Sequence, residues 1–187
     1  MLIIDEEGEF SWGEWKSYVL SLIWSPLLIA QIILVLVLSY VNESGINIIF
    51  WAGWGIWFIS VIFAIFPMIV LKRSGGVKKG DSYVKTTKLV DTGIYAIVRH
   101  PQYTAGLLFS LALILISQTV LVAVLGIFTI ALVYIDIYIA DKYEIKKFGE
   151  EYEEYMKKVP RTNFVLGMIK YILRRNRNKS YHSQHIK

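Results

Sequence analysis

Charged residues are rare in four stretches of this chain and crowded into the segments between them. Residues 18–41 and 46–71 contain no Asp, Glu, Lys or Arg. Each is long enough to cross roughly 30 Å of hydrocarbon. Residues 101–117 and 120–140 form a second pair of apolar runs, interrupted by one acid, Asp136. Only Gln118-Thr119 joins them, a link short enough to require a helical hairpin. Pro26 is a candidate kink in the first run. Asn42-Glu43-Ser44-Gly45 reads as a turn, and Gly75-Gly76 with Gly80 as a flexible connector. Beyond Ala140 the pattern becomes amphipathic: DKYEIKKFGEEYEEYMKKVPR alternates aromatic with charged positions, and Gly149 is placed to end one helix before another begins. Residues 164–173 are apolar with Lys170 inside, then Arg174, Arg175, Arg177 and Lys179 follow. That pattern predicts an interfacial helix with a polybasic end, and residues 178–187 are expected to be irregular.

The pattern predicts an all-α integral membrane protein with about four transmembrane helices in a single membrane domain, residues 1–187. Composition agrees, with 55% hydrophobic residues and a mean hydropathy of +0.48. A soluble domain of this length rarely carries so much apolar surface. The absence of cysteine excludes disulfides and thiolate chemistry. Of three histidines, His182 and His185 sit in the polar tail, which argues against a histidine-rich metal site. The net charge of +5 gathers on membrane-flanking segments and suits anionic lipid better than nucleic acid. The start, MLIIDEEGEF, lacks the basic flank of a cleaved signal. Trp12 and Trp15 suggest an interfacial belt. The segment 72–100 is basic and is expected in the cytoplasm. Four spans then put both termini there too, together with 141–163 and the tail 164–187.

Candidate chemistry concentrates in LVDTGIYAIVRHPQYTAG, residues 89–106. Arg99-His100-Pro101 sets a fixed cation and an imidazole beside a proline suited to the first position of a helix. The first-turn N–H groups and positive dipole end would favour an anionic group there. A plain membrane-flanking basic turn has the same residue types, but not this density of Gly93, Tyr95, Arg99, His100, Pro101 and Tyr103.

That block, and FGEEYEEYMKKVPR at 148–161, resemble membrane methyltransferases related to isoprenylcysteine carboxyl methyltransferase and phosphatidylethanolamine N-methyltransferase. Their order, with a helical hairpin between them, is similar too. The resemblance covers the chain from about Lys85 onward and implies methyl transfer from S-adenosyl-L-methionine to a lipophilic acceptor within the bilayer, without nucleic-acid partners. It implies a cytoplasmic cofactor pocket formed by the loop before the third span and the segment after the fourth. The positions matching cofactor contacts are Thr87, Lys88, Leu89, Val90, Tyr95, His100, Pro101, Gln102, Tyr103 and Asp141. Arg99, His100 and the helix start can meet the cofactor carboxylate. Tyr95 or Tyr103 can pack on adenine or attract the sulfonium.

The chain departs from the family where a glutamate pair is usual: Ala140 and Asp141 stand there. Asp136 stands where carboxyl-methylating members carry a substrate-binding arginine. An acid there would repel a carboxylate, so Asp136 is expected at a lipid-accessible mouth, selecting a neutral or cationic acceptor. The competing reading of Asp136 is a hydrogen bond between helices. Asp141 is a candidate partner for the cofactor amine or a proton acceptor, or simply the first residue past the span. Arg161 is a candidate clamp for a carboxylate or head group, or a snorkelling surface residue. Arg99, Asp136, Asp141 and Arg161 complete the catalytic candidates.

Two other classes compete. Membrane sterol reductases, which use NADPH, share a His-Pro-x-Tyr element, but they want an acid where Thr104-Ala105-Gly106 follows Tyr103 here. A non-enzymatic membrane scaffold would account for the missing glutamate pair and leave His100 beside Arg99 at a helix start without a use.

Overall fold

The computed structural model describes residues 12–185, with side chains from 19 to 177. The acidic start and the side chains of Trp12, Trp15, His182 and His185 lie outside the described residues. Six α-helices, a π-helical turn and a 3-10 turn make up the described chain, with no strand among the described residues. They are α1 (Trp12–Ile32), α2 (Asn47–Ser74), α3 (Pro101–Ser117), α4 (Val120–Phe148), α5 (Glu150–Lys158) and α6 (Phe164–His185). The π turn Ile33–Val37 extends α1, which runs through Pro26.

Three stretches are long and apolar enough to cross a membrane: Val19–Val37, Asn47–Ser74 and Val120–Phe148. The fourth, Pro101–Ser117, is a shorter apolar helix, about 26 Å long at 1.5 Å per residue. The long helices overrun the uncharged stretches for a local reason. Helix α2 continues through Lys72 and Arg73, cations that suit the negative end of its dipole, and stops at Gly75-Gly76, where Gly76 has φ +68°. Helix α4 continues past Ala140 because nothing breaks it before Gly149, at φ +57°. Residues 178–185, expected to be irregular, are helical. Between 168 and 185 there is neither glycine nor proline to stop the helix.

The chain divides into two compact units. The first comprises residues 1–57 and 107–147. Its apolar core is Val35, Leu113, Ile116 and Val122, with Leu28, Ile32, Phe50, Trp57 and Phe109 packed around it. Buried polar groups are paired, as a low-dielectric interior requires. Gln31 is fully buried; its Nε2 donates to the Val122 carbonyl (3.2 Å) and its Oε1 accepts from Ser110 Oγ (2.8 Å). Asp136 is fully buried as well, and its Oδ2 accepts from Trp24 Nε1 (3.0 Å) and Ser21 Oγ (3.3 Å). Asp136 thus ties α4 to α1 through donors on α1, the hydrogen bond between helices that was one of its two expected readings. Asp141, 3% exposed, belongs to the same unit.

The helix ends of this unit are fastened by Gln118, which sits in the left-handed region at φ +58°. Its Nε2 donates to Asn42 Oδ1 (2.8 Å) and to the Ile46 carbonyl (3.0 Å), while its Oε1 accepts from the Ile46 N–H (3.2 Å). One side chain therefore joins the α3–α4 link to the turn before α2. The backbone adds Asn42 N–H to the Ile116 carbonyl (2.8 Å).

Two glycines of α2 differ in what surrounds them. A Cβ at Gly53 would meet Ile116 Cγ1 at 2.8 Å and the Ala112 carbonyl oxygen at 3.1 Å, whereas Gly55 has nothing within 4 Å. Gly53→Ala is therefore expected to destabilise the protein by about 1–3 kcal/mol through overpacking against backbone. Gly55→Ala is expected to be neutral or to stabilise by up to about 1 kcal/mol, since alanine is the better helix former. Thermal unfolding of the two variants in detergent checks the pair; equal melting temperatures would contradict this packing of α2 on α3.

Candidate functional site

The second unit comprises residues 58–106 and 148–187. It brings both sequence blocks together, 89–106 and 148–161, which lie far apart along the chain.

The first block starts from a closed connector. After α2 the chain turns at Gly75-Gly76 and loops back, so that the Gly75 carbonyl accepts from the N–H groups of Thr87 (2.8 Å) and Lys88 (3.2 Å). The Thr87 hydroxyl donates to the Gly76 carbonyl (3.1 Å). Gly93, at φ +61°, opens the 3-10 turn Gly93–Ala96, a conformation that favours glycine. Pro101 then starts α3, where its missing N–H costs nothing. The His100 carbonyl accepts from the Thr104 N–H and from the Thr104 hydroxyl, both at 2.9 Å, closing the first turn.

The second block is α5 and the extended residues after it. Glu150, Glu151 and Glu153 occupy its first turn, and Lys157 and Lys158 its last, each sign at the helix end that favours it. Tyr152, Tyr155 and Val159 are buried while the charged positions between them are exposed, so one stripe faces inward. Pro160 ends the helix by holding Val159 extended, at φ −118° and ψ 129°.

Hydrogen bonds join the two blocks at both backbone and side chain. The consecutive N–H groups of Arg99 and His100 donate to the consecutive carbonyls of Pro160 (3.0 Å) and Arg161 (3.1 Å). Arg99 Nη1 donates to the carbonyls of Val159 (2.7 Å) and Met156 (3.1 Å). These carbonyls lie at the end of α5, where the helix leaves acceptors without intrahelical donors and a negative dipole end. Tyr155 donates its hydroxyl to the Tyr95 carbonyl (2.6 Å). The Tyr152 hydroxyl lies 3.3 Å from His100 Nε2, and the His100 ring meets Tyr103 edge to face at 5.8 Å. Burial pushes the Tyr155 phenol far above its ordinary pKa, with repulsion from Tyr95 adding to it. It is a neutral donor at every physiological pH.

Burial sorts the expected cofactor residues into two groups. Val90, Tyr95, Arg99, His100 and Pro101 are buried, whereas Leu89, Gln102, Tyr103 and Arg161 are half-buried and Thr87 and Lys88 exposed. All of these belong to this unit; Asp136 and Asp141 belong to the first. Arg99, expected to face a carboxylate, engages the end of α5. Groups that the sequence reading passed over carry much of the joint. Tyr152 and Tyr155 were legible as an i, i+3 pair facing inward. Arg174 stood among tail arginines of one apparent kind, yet it donates to the Ala96 (2.7 Å) and Lys158 (3.2 Å) carbonyls. Gly167 is buried, and a Cβ there would land on the Ile97 carbonyl oxygen. Among the described residues no group of His, Asp and Glu could hold a metal ion.

Against known proteins, the family model described as Phospholipid methyltransferase matches residues 48–151. That stretch takes in α2, the first block and the α3–α4 hairpin, and it covers more than half of the chain. No curated protein and no solved structure matches.

Tyr155→Phe removes one buried bond and leaves the Tyr95 carbonyl without that donor, a loss of about 1–2 kcal/mol near neutral pH. Above about pH 10 unfolded tyrosine ionises while buried Tyr155 does not, so the folded state loses Tyr155's contribution as pH rises through and beyond that value. The stability gap between the native protein and Tyr155→Phe should therefore narrow from pH 9 to about pH 11. Denaturation midpoints across that range measure it, and a gap that widens would contradict the placement of Tyr155.

Proposed function

The chain belongs to the phospholipid methyltransferase family, and on that premise we propose that it methylates a lipophilic, membrane-resident acceptor using S-adenosylmethionine. The observation that carries this reading is the joint itself. Residues 99–100 and 160–161 pair backbone to backbone, so the two blocks that resemble the cofactor segments of membrane methyltransferases form one assembly.

The residues present fit this cofactor. Its carboxylate suits the positive end of α3 at Pro101 together with exposed Lys88 and half-buried Arg161. Its adenine and sulfonium suit the half-buried ring of Tyr103, and Leu89 with Val90 offers an apolar wall. When bound, S-adenosylmethionine supplies a methyl group already activated by positive sulfur. The protein's share is then to bind, align and exclude water.

Arg99 and Tyr155 act as positioning residues. They hold the end of α5 against the 3-10 turn and so set where Arg161 and Tyr103 stand. His100, bonded to Tyr152, fixes the ring beside Tyr103 and gives the first turn of α3 its orientation. The acceptor reaches the enzyme from the bilayer and the cofactor from the cytoplasm. Both termini are cytoplasmic on this reading, supported by the excess of Lys and Arg on residues 72–88 and on the tail.

Purified protein in detergent should melt at a higher temperature with S-adenosylmethionine or S-adenosylhomocysteine. At about a hundred times Kd the gain is about 2.7 kcal/mol. NADPH should give no shift. With a membrane lipid extract and tritiated methyl donor, label should enter the organic phase. Tyr152→Phe should weaken cofactor binding about threefold to tenfold, the value of roughly one hydrogen bond. A shift with NADPH alone, or no shift with either cofactor, would overturn the proposal.

A further inference from the structure

Helix α6 is amphipathic with its faces inverted. At about 100° per residue, Val165, Leu166, Met168, Ile169, Ile172 and Leu173 fall within an arc of roughly 160°. All six are exposed, from 43% at Leu166 to 60% at Leu173. The opposite face, with Phe164, Gly167 and Arg174, holds the protein. Gly167 lies against the Ile97 carbonyl, Phe164 packs on Phe63 at 5.4 Å, and Arg174 donates to the Ala96 and Lys158 carbonyls. Within this unit the apolar arc faces outward, with hydrogen-bonded groups behind it.

Two further observations identify what covers that arc. Helix α6 is not among the described helices long and apolar enough to cross a membrane. Its edges are cationic. Exposed Arg175 projects beside one edge, and exposed Arg177 with half-buried Lys170 beside the other. An apolar stripe bordered by cations on both sides suits a helix lying in the plane of an anionic membrane surface, with the stripe among acyl chains and the cations at phosphate level. The same borders disfavour pairing with a second copy, because they would bring like charges together around the contact.

We propose that the outer face of α6 is an interfacial docking surface for anionic phospholipid, and that its docking holds the joint between the two blocks from behind. Arg174 and Gly167 make the link, since both touch the segment Ala96–Ile97 that leads into Arg99. A docked α6 keeps Arg174 on the Ala96 and Lys158 carbonyls. An undocked α6 exposes six large apolar side chains to water and loosens that hold. The proposal stands on the geometry of α6 and needs no methyl transfer.

The chain has no cysteine, so single cysteines can be placed at will. Full-length Ile169→Cys, spin-labelled and reconstituted in vesicles of phosphatidylcholine with about a third phosphatidylserine, should place the label among acyl chains. Oxygen should then relax it more than a water-soluble nickel complex does. Lys157→Cys, on the exposed charged face of α5, should show the reverse. In pure phosphatidylcholine, or with Arg175→Gln and Arg177→Gln together, the ratio of docked to undocked α6 should fall, by about fivefold for each arginine removed. Nickel-accessible Ile169→Cys in the anionic vesicles would overturn the proposal. So would dipolar broadening between labels, which would mean that a second copy covers the face, or docking indifferent to phosphatidylserine and to both arginines. None of these readings depends on turnover, so failure of the enzymatic reading leaves them interpretable.

Discussion

Arg99 and His100 give up their backbone N–H groups to Pro160 and Arg161, and the Arg99 side chain closes the carbonyl end of α5. Much of the second unit depends on that exchange. Its constraint is a backbone accounting. A short helix ends at Lys158 with carbonyls that no residue within it can satisfy, and Pro160 brings no N–H of its own. The segment before α3 has the complementary surplus, because Pro101 prevents its N–H groups from being drawn into a longer helix. Guanidinium and backbone donors meet helix-end acceptors, and such bonds are strong when buried and charge-assisted. Arg99 is 9% exposed, so removing it would strand acceptors where water reaches poorly.

How far this was legible in the sequence differs between helices and joint. The helices follow from elementary patterning. Glycine pairs, Pro101 and Gly149 punctuate apolar runs, and α3 occupies Pro101–Ser117. Where helices run on past the uncharged stretches, backbone chemistry sets their ends: α2 includes Lys72 and Arg73 and stops at the glycine pair, and residues 141–148 contain nothing to stop α4. Residues 178–185 were misread by composition, since polarity alone does not end a helix that lacks breakers. The roles inside the joint were less accessible. Arg99 beside His100 looked like an anion site, and only the position of α5 gives it carbonyls to hold. Arg174 was indistinguishable from Arg175 in sequence, because their separation comes from helical phase, set by where Gly167 touches Ile97.

Asp136 teaches a related lesson about acids in apolar helices. A carboxylate there is costly unless donors meet it, which invites a functional reading. Trp24 and Ser21 supply such donors, one turn apart on α1. Gln31 with Ser110 does the same deeper in the unit. Where little hydrophobic force separates helix–helix from helix–lipid contact, such bonds specify which helices neighbour one another. Part of the polar inventory of this chain is thereby committed to holding α1, α3 and α4 in register.

With those groups committed to the fold, the set that can meet a ligand in the second unit becomes small. Tyr95, Arg99, His100, Tyr152 and Tyr155 are buried and bonded to one another's segments, whereas Lys88, Gln102, Tyr103 and Arg161 keep surface. A site arranged in this way separates precision from contact. The buried groups fix the positions of α3 and α5, and the exposed ones provide charge and ring face at those positions. Pre-organisation of this kind favours group transfer from an activated donor, where alignment contributes more than proton handling. Among the groups that keep surface, Arg161 also lends its carbonyl to the joint. The His100 N–H holds its backbone past the end of α5 while its side chain is only half-buried, so the residue belongs both to the joint and to the surface beside it.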